Sequence, residues 1–406
     1  MQQYLRFILQ SWPLLAFGFV TIFWGNFGQS FFLSWYGTPI QESLGISASY
    51  YGSLYAIATL GSGFLIMAFG GLIDRVPLRL FAAGNALGLA LGCLLIGLSI
   101  HAMVLLAGLF LIRLCGQGLL PHTAQTTMAR YFDSDRGKAL SLSSSGVPFG
   151  EAILPLVIVG LIAWLGWRES WLVIMASTLL LYLPLMAWLL RQTTINTETP
   201  PASASSKILA NSAGRREMLT DRRFWMALPV VLSGPYMVTA IFIHQGFILT
   251  QKDWTPTWLA SCFVAYGITH WVMSLIAGVL IDRFSAQSLL RVMALPLIGA
   301  LVLVAHVEGT WVALPFMILL GTTVGIASPL NGALWAEVYG TAKLGSIRSF
   351  MTSLMIISTA ISPAVFGIFI DQGHSITRIF SYTAWLLVGA VVLAQFSYRP
   401  GQALPA

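Results

Sequence analysis

Two charged side chains stand where charge is expensive. Arg113 lies inside LLAGLFLIRLCGQGLL and Glu151 inside GEAILPLVIVGLI, apolar runs long enough to belong to membrane spans. An unpaired charge at mid-membrane depth costs about 3 kcal/mol or more, so each needs a partner, water or a task. If the two runs are consecutive spans joined by a short loop, both charges reach one depth on neighbouring helices. Two roles then compete. The pair can be a static rivet. Alternatively it borders a polar cavity, where Arg113 attracts an anionic group and Glu151 takes up a proton when separated from the guanidinium. Three histidines also fall within apolar runs. His270 has Tyr266 and Ser274 four residues away on the same helical face, a stripe suited to a cavity wall. His244, followed by Gln245, is an even choice between cavity and packing, and His122 points away from Arg113 and suits packing. They are too scattered for a metal site, and no metal or other cofactor is expected. Asn26, Gln29 and Ser30 form a further polar face in the first apolar run.

The elements that must hold these residues are membrane helices. Of 406 residues 57% are hydrophobic and 9% charged, with mean hydropathy +0.81, against about 25% charged in soluble domains. Stretches of about 20 apolar residues occur twelve times, at 11–36, 47–70, 77–99, 102–130, 138–164, 168–191, 222–250, 256–281, 286–306, 310–338, 342–370 and 375–398. The first is too long for a cleaved signal sequence. Cys93, Cys115 and Cys262 lack ligand or redox spacing and read as small core residues. No nucleophile elbow, zinc-protease motif or phosphate-binding loop appears, so an enzyme or ATP-driven pump is not expected.

Segment 192–221, with TTINTETPPASASSK and GRREMLTDRR, reads as a linker between an N-terminal bundle, 1–191, and a C-terminal bundle, 222–406. With both termini cytoplasmic, most basic residues fall inside, including Arg75, Arg79, Arg130, Arg136, Lys138, Arg215, Arg216, Arg283 and Lys343. That is the positive-inside pattern, and it accounts for the net charge of +7 without nucleic acid.

The two bundles repeat each other. Gly70-Gly71-Leu72-Ile73-Asp74-Arg75 returns as Gly278-Val279-Leu280-Ile281-Asp282-Arg283, 208 positions later. Pro121 and Pro329, Tyr131 and Tyr339, Gly137 and Gly345, and Pro155 and Pro363 keep that displacement. Parallel repeats with a binding site at mid-membrane are a transporter architecture. At that displacement Tyr36 matches His244, and Thr359 stands where the first half has Glu151.

GGLIDRVPLR resembles the loop motif between the second and third spans of the major facilitator superfamily, with Pro77 in place of its second glycine and the basic residue moved to Arg79. The run from Gly116 to Leu156 is similar to the monocarboxylate and oxalate/formate transporter group. That group's arginine in the eighth span and the aspartate before it are replaced here by Ser274 and His270, and the eleventh span lacks a central basic residue. The resemblance implies an all-α integral membrane fold of twelve helices in two pseudo-symmetric bundles. It further implies that the first and seventh spans line the cavity, which favours Asn26 and Gln29 as substrate contacts; with Tyr36, His244 and the eighth-span pair Tyr266 and His270 they are candidate substrate or coupling residues beside Arg113 and Glu151. Asp74, Arg75, Asp282 and Arg283 are implied as gating residues, each aspartate facing a helix N-terminus in the opposite half.

The expected function is secondary active transport of a small organic anion or related polar metabolite, coupled to protons, with a proton-driven exporter of drugs or siderophore-like compounds as the alternative. The expected setting is the cell's inner (cytoplasmic) membrane, as a monomer in contact with lipid and with no nucleic-acid partner.

Overall fold

The computed structural model describes residues 2–132, 135–193, 218–340 and 344–398. Most of the expected linker, 194–217, lies outside the described residues. Twelve helices are long and apolar enough to cross a membrane: Phe7–Gly28, Ala48–Asp74, Leu78–Gly97, Ala102–Tyr131, Arg136–Leu165, Trp167–Gln192, Arg222–Ile243, Pro256–Phe284, Ala286–His306, Thr310–Tyr339, Ile347–Asp371 and Ile376–Gln395. They are called spans 1 to 12 in that order. Among the described residues there is no strand. That is what lipid dictates, because a helix satisfies its own backbone polar groups where no water can.

The chain divides into two compact units. The first holds Met1–Ile46 and Ser53–Ser206, and the second holds Ser47–Gly52 and Lys207–Ala406. The first turn of span 2 groups with the second unit.

In the first unit span 1 packs on spans 4 and 5, and span 3 on spans 4 and 6. Large apolar side chains such as Phe64, Met67 and Trp164 point outward, 71%, 71% and 80% exposed. With apolar side chains this exposed, burial inside the unit is selected by fit rather than by hydrophobicity.

In the second unit span 8 lies along span 10. Gly321 and Gly325 make this possible: a Cβ on Gly321 would stand 2.6 Å from Tyr266 O, and one on Gly325 2.7 Å from His270 O. Two glycines four residues apart let helix backbones touch, and dispersion over that contact replaces the missing hydrophobic drive. Spans 7, 10 and 11 close around Phe224, Leu330, Leu334 and Trp335.

Candidate functional site

Span 1 is not one helix. Its α-helical part ends at Gly25, a 3₁₀ turn covers Asn26–Gly28, and Gln29 is extended (φ −79°, ψ 153°) before a short helix restarts at Ser30. Glycines at 25 and 28, with Asn26 between, are poor helix formers, and the chain yields there. The break displaces one hydrogen bond. Phe32 N, the regular helical partner of Gly28 O, donates to Gln29 O instead. The Gly28 carbonyl is thereby released inside the unit.

Arg113 takes it. Its Nη1 donates to Gly28 O at 3.0 Å, and its guanidinium carbon sits 4.7 Å from the centroid of the Tyr55 ring. Span 4 is itself irregular here, with π-helical geometry over Ile112–Leu119, and that stretch packs against the 3₁₀ turn of span 1. Gly28 permits the approach: a Cβ there would lie 2.2 Å from Ile112 O and 2.5 Å from Gln117 N. π segments accompany functional sites often enough to mark this junction.

Arg113 is 1% exposed. Among the described residues its recorded partners are a carbonyl and an aromatic ring, and its Nε has no acceptor. The sequence left either Arg113 or water in a cavity as the group that satisfies Glu151, and the contacts recorded for Arg113 itself are this carbonyl and this ring. The reason is local: the broken helix supplies an acceptor that apolar periodicity could not reveal. The guanidinium thus remains a desolvated cation stabilised by dipoles and a ring face, an environment that favours an incoming anion.

Glu151 is 4% exposed in span 5 of the same unit. Its neighbour Gly150 faces Asn26, whose Nδ2 would stand 1.9 Å from a Cβ at that position. Asn26 is fully buried. Its Nδ2 donates to Gly146 O at 2.9 Å, tying span 1 to span 5, while its Oδ1 has no partner among the described residues. Gln29 contributes its backbone to the break and is half-buried. Tyr36 occupies a different environment. Its hydroxyl is 3.0 Å from Ser170 Oγ and its ring lies 4.5 Å from that of Trp171, all within packed protein. Trp24 stacks on Tyr182 at 5.3 Å. These are packing environments, so the structure brings Asn26, Gln29, Arg113 and Glu151 to one set of spans and sets Tyr36 apart.

The candidates of the second unit lie on spans 7 and 8 and at the break that follows span 7. His244 is 3% exposed, with Nε2 2.7 Å from Pro363 O and its ring stacked on Phe366. It sits at the break where span 7 ends at Ile243. Tyr266 is 1% exposed, edge-on to Phe242 at 5.5 Å. His270 is half-buried with its ring 6.2 Å from Tyr266. Trp271 is 49% exposed and Trp335 1%. Thr359, at the position matching Glu151, turns its hydroxyl back to Ile356 O at 3.0 Å.

The repeated motif behaves differently in the two units. In the first, Gly70–Asp74 forms a 3₁₀ turn. Arg130 of span 4 pairs with Asp74 and also donates to Ile73 O at 3.2 Å, while His122 Nε2 lies 3.1 Å from Gly70 O. Asp74 thus has a cation of its own unit as partner, where the resemblance implied a helix N-terminus in the opposite half. A guanidinium offers directed donors and full charge, against about half a charge at a helix end. Arg75 is exposed. In the second unit Asp282 and Arg283 are exposed, and Arg283 lies 5.3 Å from the Phe284 ring. There the helix N-terminus after the motif is capped by Glu337 of span 10, whose oxygens accept from Ala286 N at 2.9 and 3.0 Å and from Gln287 N at 3.3 Å.

Sequence reasoning missed Tyr55, Gly28 and Glu337, and it placed Arg130 only among the loop charges. Tyr55 is one aromatic residue among many, and its register against Arg113 exists only in three dimensions. Glu337 carried a signal: a lone carboxylate in an otherwise apolar run. Among the described residues no group of three or more His, Cys, Asp or Glu could hold a metal, and the three cysteines are free and buried.

Comparison with known proteins gives concordant results. Residues 15–363 match the Major Facilitator Superfamily. A hexuronate transporter of Bacillus subtilis (strain 168) is 25% identical over 390 residues, covering 89% of this chain and 88% of that protein. A probable sulfoacetate transporter, SauU, of Cupriavidus necator is 23% identical over 384 residues, covering 89% and 87%. Among solved structures, the nucleoside transporter NupG superposes with TM-score 0.75 at 12% identity over 96% of this chain and all of that one. An inward-facing, occupied bacterial homologue of the human lysosomal transporter Spinster gives 0.69 at 13% over 98% and 99%. At such identities these two show the shared fold alone.

Proposed function

The chain belongs to the major facilitator superfamily, a family of transporters rather than enzymes, and we propose that its cargo is a small organic anion, moved by alternating access and coupled to protons. The observation that carries this reading is Arg113: a buried guanidinium whose recorded partners are one carbonyl oxygen and one aromatic ring, with Nε unused. Burying a cation without an anionic partner is costly. A transported anion that supplies the missing charge converts that cost into binding selectivity. The hexuronate and sulfoacetate named for two relatives are both anions, which supports the same substrate class here.

Coupling is assigned to Glu151. It is buried in span 5, beside the Gly150 contact with Asn26. A carboxylate that gains a proton when the local field becomes less positive, and releases it when the field returns, is sufficient for symport. The concentration of basic residues in the loops assigned to the cytoplasm supports an inner-membrane setting with both termini cytoplasmic.

The test is uptake into proteoliposomes of purified protein with labelled organic anions under an imposed pH gradient. Accumulation stimulated by an alkaline interior is the expected result. Efflux driven by proton entry would instead support the exporter, and an anion flux indifferent to the gradient would remove proton coupling. Absence of any anion flux or binding would refute the proposal.

A further inference from the structure

A buried cation can be held by a carboxylate or by groups that carry no charge, and the choice decides what it can still bind. Arg113 has the second arrangement. Its guanidinium carbon lies over the Tyr55 ring, 4.7 Å from the centroid, and its Nη1 donates to Gly28 O at 3.0 Å. The two contacts come from different elements of the first unit, span 2 and the break in span 1, so the head group is fixed at two points. Arg113 and Tyr55 are 1% and 0% exposed. A ring face attracts a cation most strongly where water is absent. A carboxylate at position 55 would bind the guanidinium and cancel its charge, whereas a ring binds it and leaves the charge whole.

Span 2 is patterned to deliver this side chain. Tyr55, Ala58, Thr59 and Ser62 recur at i, i+3, i+4 and i+7 on one buried face, while Ile57 and Phe64 point outward. What Tyr55 contributes there is its ring. Its hydroxyl has Arg113 and Thr59 as polar neighbours, and neither stands in hydrogen-bonding geometry to it. Thr59 Oγ1, one turn on, also lacks a bond. The contact recorded between span 2 and the guanidinium is therefore made by an aromatic face.

We propose that Tyr55 is a positioning residue for the transported anion: its ring face holds the Arg113 guanidinium in place with its charge uncancelled, for an anionic group to meet. The proposal rests on the organic-anion reading given above and adds the residue that keeps Arg113 available to the cargo.

The experiment is uptake of labelled D-glucuronate, or of sulfoacetate where the wild type prefers it, into proteoliposomes of the full-length protein. It compares Tyr55→Phe, Tyr55→Leu and proteins carrying phenylalanines with one, two and three ring fluorines at position 55. Fluorine draws electron density from the ring face and barely changes ring size. Tyr55→Phe keeps KM within about twofold of wild type, and Tyr55→Leu raises it at least about tenfold with Vmax little changed. Each added fluorine raises KM further above the Tyr55→Phe value, a progression that packing alone does not produce. Melting temperatures and size-exclusion profiles establish which variants fold, and if Tyr55→Leu does not, the fluorinated series decides. A KM unchanged across that series, or Tyr55→Phe as impaired as Tyr55→Leu, overturns the role of the ring and leaves the organic-anion reading standing. Wild-type protein that neither binds nor transports either acid overturns both.

Discussion

Placing one methyl group on Gly28 tests whether the break in span 1 is seated on the π segment of span 4. In Gly28→Ala the new carbon would lie 2.2 Å from Ile112 O and 2.5 Å from Gln117 N. Both obstacles are backbone, so no side chain can swing aside. Restoring an ordinary contact of 3.4 Å requires one segment to retreat by about 1 Å, a misfit of the kind that costs about 1–3 kcal/mol in packed cores. The same retreat stretches the 3.0 Å bond from Arg113 to Gly28 O, and hydrogen bonds to charged groups contribute about 1.5–3 kcal/mol. Together the losses approach the upper end of single-substitution effects. The assay is thermal unfolding followed by size exclusion in detergent, with anion uptake measured in parallel. Gly71→Ala is the control, since nothing lies within 4 Å of a Cβ there. Gly28→Ala is expected to melt well below the control and to lose uptake even at temperatures where it remains folded, because Arg113 is displaced. Identical melting and uptake in the two variants would refute the junction.

The remaining predictions concern charge and close packing. Glu151→Gln is expected to abolish accumulation driven by a pH gradient while retaining anion counterflow, measured in the same vesicles, and undiminished driven accumulation would remove Glu151 from coupling. Asp74→Asn and Arg130→Gln, a pair 45% and 23% exposed, should each change stability by less than about 1 kcal/mol, so a large loss of uptake without a change in melting would locate their role in the transport cycle. Glu337→Gln weakens a charged cap over Ala286 N and Gln287 N and should cost about 1 kcal/mol, read as a lowered melting temperature in detergent. Gly325→Val drives a branched side chain into His270 O, 2.7 Å from its Cβ, and should cost more than Gly278→Val, where nothing lies within 4 Å.

Much of the fold was legible because lipid imposes simple rules. Length, apolarity and the 208-residue displacement of GGLIDR and GVLIDR located twelve spans and two halves. Two spans ended earlier than the apolar runs suggested. Span 1 stops at Gly28 rather than near 36 and span 7 at Ile243 rather than near 250, because backbone breaks at Asn26–Gln29 and His244 do not alter hydropathy. The site was legible only as a set of unusual residues. Arg113 announced itself as a charge in an apolar run, yet its partners are a carbonyl and a tyrosine ring that no spacing rule links to it. Tyr36 and His244, equivalent in the repeat, are both buried in packing contacts, one on Ser170 and the other on Pro363. Matched positions revealed shared ancestry there, and chemistry had to be read from contacts.

The unequal use of the repeat argues for a division of labour. Where the first unit has Glu151, the second has Thr359 bonded to its own helix. Where the first unit pairs Asp74 with Arg130, the second leaves Asp282 exposed and caps a helix with Glu337. The buried acid and the buried cation of spans 4 and 5 therefore lie in one half. Exchanging Glu151 and Thr359 between the halves, by Glu151→Thr with Thr359→Glu, puts this to work. If the acid's surroundings in the first unit create coupling, the swapped protein binds anions and fails to accumulate them under a pH gradient, and restored accumulation would show that any buried acid at the repeat position suffices.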